Sequence, residues 1–199
     1  MFIQVIEGRA RNPRGVREQW DRWQRELAPG ATGWLGATGG IAADGTWIGV
    51  VRFETREAAQ RNSGRSEQGR WWADLAQHLE GEATFDDYDQ TELLSGGGSD
   101  RAGFVQVIRG RSSDLTQLQA LGRELEGALR QHRPDVIGGT IAWKPDGNFT
   151  QTVYFTSEAE ARANEGKRPP ELQQFFDAWN RLTENVRYID LQEPWLSSR

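Results

Sequence analysis

Residues 2–9, Phe-Ile-Gln-Val-Ile-Glu-Gly-Arg, are rich in β-branched and aromatic types and alternate as a half-buried strand does. Asn12 followed by Pro13 has the form of an N-cap with proline at the first helical position. Val16, Trp20, Trp23 and Leu27 then recur at helical spacing until Pro29-Gly30, which predicts an amphipathic helix. Two strands follow around Asp44-Gly45, a dipeptide suited to a tight hairpin. Thr55 caps a short helix, and a longer one carries Trp71, Trp72, Leu75 and Leu79. A strand over 83–89 closes the series.

The same series recurs. Phe2-Ile3-Gln4-Val5-Ile6 matches Phe104-Val105-Gln106-Val107-Ile108, and the offset of 102 also aligns Gly36 with Gly138, Asp44-Gly45 with Asp146-Gly147, Asn62 with Asn164 and Gly64 with Gly166. An insertion around Pro169 shifts the register, after which Trp71-Trp72 pairs with Phe175-Phe176. In the second copy Ser113 or Asp114 caps a helix striped by Leu118, Leu121, Leu125 and Leu129, Ser157 caps the short helix, and 186–192 is the last strand. Ser95-Gly96-Gly97-Gly98-Ser99-Asp100 between the copies has the composition of flexible coil. The expected layout is a first repeat over 1–94, a linker over 95–102 and a second repeat over 103–199.

Strand, helix, strand, strand, helix, strand is the split βαβ order of ferredoxin-like domains. The fold class expected is α+β, with two βαββαβ repeats. Helices cover one sheet face only, yet the strands are apolar on both sides, so the second face also needs cover. Two such sheets meeting face to face would give an intramolecular, pseudo-twofold α+β barrel.

Composition narrows the chemistry. The 199 residues include no cysteine, which excludes disulfides, thiolate metal sites and a thiol nucleophile. A net charge of −5 argues against nucleic acid and anionic membranes as partners. No apolar run is long enough to span a bilayer, and the expected location is the cytoplasm. His78 and His132, the only histidines, lie in different repeats and are expected to be exposed; no metal site is expected. Asp86, Asp87, Asp89 and Glu92 lack the spacing of a calcium loop and suit a solvated strand edge.

Arg52-Phe53-Glu54-Thr55-Arg56-Glu57-Ala58-Ala59 through Asn62, and Tyr154-Phe155-Thr156-Ser157-Glu158-Ala159-Glu160-Ala161 through Asn164, resemble the strand-to-helix junction of the dimeric α+β barrel superfamily. The resemblance is to its antibiotic biosynthesis monooxygenase-like family, with the usual homodimer fused into one chain. It implies a cofactor-independent monooxygenase acting on a small, polycyclic aromatic substrate, with no cofactor and no metal. Asn62 and Asn164 then take the catalytic place, an uncharged amide donating to a substrate oxyanion. The same asparagines, beside Gly64 and Gly166, also suit ordinary helix ends. Gln4 and Gln106 recur in otherwise apolar strands and would bind either a ligand or each other. Trp72 and Phe176 complete the expected substrate lining. A haem-degrading branch is disfavoured because Ile6, Ile108, Asn62, Asn164, Trp72 and Gln174 stand at its key positions, with no ligating histidine. The alternative is a non-catalytic barrel that binds a small molecule or a partner, as a monomer, pseudo-dimer or weak homodimer.

Overall fold

A computed structural model describes residues 1–167 and 169–199, with the side chains of Arg130, Pro170 and Glu171 left aside. The chain forms two compact units, one of residues 1–90 with 193–199 and one of residues 91–192.

The first unit runs β1 (Phe2–Ala10), α1 (Pro13–Arg22), β2 (Trp34–Ile41), β3 (Thr46–Phe53), α2 (Arg56–Ser63), α3 (Ser66–Ala76) and β4 (Leu79–Tyr88). Asn12 caps α1 by accepting from the Gly15 amide, and Pro13 follows it, because a proline loses nothing where the helix has no partner for an N–H. Beyond Arg22 the helix widens into a π turn over Trp23–Leu27. The sheet order is β10-β2-β3-β1-β4, where β10 (Trp195–Ser198) comes from the far end of the chain and pairs antiparallel with β2. Leu79, expected on the second helix, instead opens β4, so that strand begins four residues earlier than the alternation suggested.

The second unit repeats the plan with β5 (Gln90–Leu94), β6 (Phe104–Ser112), α4 (Leu115–His132), β7 (Val136–Trp143), β8 (Asn148–Phe155), α5 (Glu158–Glu165), α6 (Pro170–Leu182) and β9 (Thr183–Leu191). Its order is β5-β7-β8-β6-β9. The hairpins turn where expected: Gly45 and Gly147 sit at φ +88° and +93°, and Asp44 and Asp146 accept from the amides of Thr46 and Asn148. Each unit is a ferredoxin-like α+β sandwich with an added edge strand.

That added strand moves the expected boundaries. Residues 91–94 group with the second unit and residues 193–199 with the first, so neither unit is one continuous stretch matching 1–94 or 103–199. The pleat explains why the short segments count: β10 extends an edge through backbone hydrogen bonds and lays Trp195 on the core face.

In the first unit that core joins Phe2, Ile6, Val16, Trp20, Trp23, Trp34, Trp47, Trp71, Leu75 and Trp195 between helices and sheet. Phe104, Ile108, Leu118, Trp143, Phe149, Val153, Phe155 and Trp179 do so in the second. The alternate strand positions, Ile3, Val5, Ile48 and Val50 and likewise Val105, Val107 and Tyr154, are buried too.

Candidate functional site

The expected site residues fall into local polar networks. Asn62 is buried in the last turn of α2; its amide donates to Gln68 at 3.3 Å and its carbonyl accepts from Arg65 at 2.9 Å. Gln68 also accepts from the Trp23 indole, and Arg65 donates to the Leu27 carbonyl, so the group ties α2 to the end of the π turn. Asn164 donates to Asp135 at 2.8 Å and accepts from Lys167. Asp135 is itself clasped by Arg133, both side chains being at most 9% exposed. Equivalent asparagines thus meet different neighbours in the two units.

Gln4 and Gln106 keep the same partner type. Each donates at 2.8 Å to an aspartate on the adjoining strand, Asp87 and Asp190. Arg56 then reaches Asp87 and Asp89 while lying over the Phe2 ring, and Arg162 reaches Asp190 while lying over Phe104. The hydrogen bonds from Arg56 hold the Asp89 carboxyl below its ordinary range. The acidic run on the β4 edge is therefore paired as well as solvated. Trp72 is half-buried in the first unit among Trp47, Trp71 and Phe85, and Phe176 is half-buried beside Phe175.

The histidines are not exposed as expected. His78 packs on α1, with its ring 3.2 Å from the Asn12 amide and so close over Gly15 that a β-carbon there would lie 2.3 Å from Nδ1. His132 is likewise half-buried, at the end of α4. Among the described residues no group of three or more metal-ligating side chains forms.

A cavity of about 60 Å³ opens instead between helices and sheet of the second unit. Leu118, Gly122 and Leu125 of α4, Phe175 and Trp179 of α6, Ile141 of β7, Gln151 of β8 and Leu94 of β5 line it. At its rim Arg123 and Glu92 form a solvent-exposed ion pair at 3.3 Å. Leu125 and Phe175 also border a wider groove of about 460 Å³ between α4 and α6. None of Asn62, Asn164, Gln4, Gln106, Trp72 and Phe176 lines either space.

The offset of 102 explains what distinguishes this place. Gly122 occupies the position of Trp20, eight residues after the cap in each helix, while Ile141 and Gln151 occupy those of Gly39 and Gly49. Gly39 and Gly49 are direct cross-strand partners, as are Ile141 and Gln151. In the first unit the Trp20 ring lies on bare glycines, 2.7 Å from where a β-carbon of Gly39 would be, and packs on Trp195. In the second, the helix contributes a glycine with open space before it and the sheet contributes an amide. Three linked changes at facing positions were the sequence signal for this site. Helical spacing alone hid it, since Leu121 falls beside Gly122 and borders the outer groove.

No family model matches the chain, and no curated protein matches it. Solved structures do. A "putative monooxygenase" from Lactobacillus acidophilus aligns over 99% of this chain and 99% of its own with a TM-score of 0.72 at 9% identity. A second "putative monooxygenase", from Fusobacterium nucleatum, covers 100% of this chain and 94% of its own at TM-score 0.76 and 8% identity. An anthrone oxidase-like protein covers 99% and 92% at TM-score 0.71 and 12% identity. The chain shares the fold of these three structures. At such identities the likeness is one of fold alone.

Proposed function

We propose that this protein binds a small aromatic molecule between the helices and sheet of its second unit. The observation that carries the reading is the cavity at Gly122, largely apolar, with Gln151 and the charged Glu92, Arg123 and Glu126 as its polar lining, at the position that the first unit fills with Trp20. Ligand pockets have this character: a largely apolar wall with few, placed polar groups. An aromatic ring needs more room than the 60 Å³ present, since a cavity of about 150 Å³ holds benzene. Leu125 and Phe175, which divide the cavity from the outer groove, are the side chains whose rotation supplies it.

A second reading, at a place apart from that cavity, is oxygenation of an aromatic ligand by dioxygen without a cofactor, favoured by the monooxygenase and anthrone oxidase-like descriptions of the matching structures. Asn164, and Asn62 in the first unit, would then donate their remaining amide hydrogen to a substrate oxyanion. Oxygen uptake with phenolic ligands, reduced at least tenfold in Asn164→Ala or Asn62→Ala with the fold intact, supports this role. Unchanged uptake in both variants removes it.

Binding is tested by following the indole signal of Trp179 while titrating the full chain with phenols and naphthols. Saturation in the wild type and its loss in Gly122→Leu, whose side chain enters the cavity, is the expected result. Equal binding by the variant places the ligand elsewhere and overturns the reading.

A further inference from the structure

Gln151 is a polar residue set among apolar neighbours on the sheet. Its cross-strand partners are Ile108 and Ile141, and Phe149 and Val153 flank it on the same face of β8. An amide that a bound molecule shuts off from water needs a partner, because its donor and acceptor are otherwise left unmet. Gln4, Gln106, Asn62 and Asn164 each have such a partner within the protein. Gln151 is half-buried, lines the cavity, and its side chain makes no hydrogen bond among the described residues.

Resting on the ligand site read above, we infer that Gln151 is the specificity-determining residue of that site and selects a neutral, ring-sized apolar molecule carrying one hydroxyl or carbonyl group. The amide offers both a donor and an acceptor, so it meets either group. A carboxylate is a poor fit. Arg123, the cation that borders the cavity, is already paired with Glu92 at the exposed rim, and a second acid, Glu126, also borders the space. An ionised ligand would lose water beside Gln151 without gaining an opposite charge. The first unit has no equivalent selector, since Gly49 stands at this position beneath Trp20.

The test compares phenol, toluene and benzoate, rings that differ in their polar group, on ¹⁵N-labelled full chain by the amide signal of Gln151 and the indole signal of Trp179. Phenol binding at least tenfold tighter than toluene, with benzoate the weakest, is expected in the wild type, and only phenol shifts the Gln151 amide. In Gln151→Leu, close to it in size, the preference for phenol over toluene falls to one or below. An unchanged preference in that variant, or benzoate binding as tightly as phenol, overturns the role of Gln151 while leaving the site. Absence of saturable shifts with every ring, in the wild type and the variant alike, overturns the site itself. Should Gln151→Leu not fold, the wild-type amide decides: a Gln151 signal that moves equally with phenol and toluene is incompatible with selection by its hydrogen bonds.

Discussion

Gly15 shows how one residue's role depends on what faces it. Glycine inside a helix is normally less stable than alanine by about 1 kcal/mol, through backbone entropy. Here the imidazole of His78 takes the space of the missing side chain, with three ring atoms within 2.7 Å of the β-carbon position. Gly15→Ala is expected to destabilise the protein by about 1–3 kcal/mol, the range of overpacked interiors. His78→Ala together with Gly15→Ala should restore most of the loss, because the ring that collides is gone and the helix gains alanine. A thermal melt of the two single variants and the double one checks this, and additive losses would show that the contact is not the cause. Asparagine, by contrast, was ambiguous in the sequence at both repeats. Asn62 and Asn164 end short helices as a bland cap would, yet each also carries a hydrogen-bond network that no spacing rule foretells, because Gln68 and Asp135 have no common position in the repeat.

At the scale of elements, the edge strand β4 is held to α2 by charge. Arg56, in the first turn of that helix, donates to both Asp87 and Asp89, and the hydrogen bonds keep the Asp89 carboxyl below its usual range. A carboxyl with a depressed folded value stabilises the fold above the ordinary carboxylate range near about 4, and that contribution disappears as pH falls through the folded value. The expected gap in stability between wild type and Asp89→Asn is therefore present at neutral pH and closes as pH falls below the ordinary carboxylate range and through the lowered folded value. It should stay under about 1 kcal/mol because the pair is exposed to solvent. Denaturant melts across that range measure it, and a gap that grows toward acid would contradict the pairing. Alternation placed most strands well, since a period of two is dictated by the pleat. It missed β5 and β10, of five and four residues, which are too short to show a period and take their conformation from the strand they join.

Over the whole chain, the two added strands cross the boundary that the glycine-rich segment marks. β5 precedes Gly96 yet belongs to the second sheet, and β10 follows it yet belongs to the first. A protease site placed within Gly96–Gly98 should cut the chain into two pieces that elute together in size-exclusion chromatography, each sheet being built from both pieces. They should separate in urea. Separation in plain buffer would show that these strands contribute little. No helix among the described residues is long and apolar enough to cross a membrane, and α4, the longest, is amphipathic.

The duplication, the order of elements, the caps at Asn12, Thr55, Asp114 and Ser157 and the two Asp-Gly turns were all legible in the sequence, because each depends on neighbours along the chain. Even the candidate cavity left a trace there, in Trp20, Gly39 and Gly49 against Gly122, Ile141 and Gln151. That trace has no meaning until the helix is laid across the sheet, for only packing shows that position 122 faces positions 141 and 151. The partners of Gln4 and Gln106, the packing of His78 on α1 and the free amide of Gln151 were decided by tertiary structure in the same way. Contacts between residues dozens of positions apart follow from how surfaces fit, and no local periodicity encodes them.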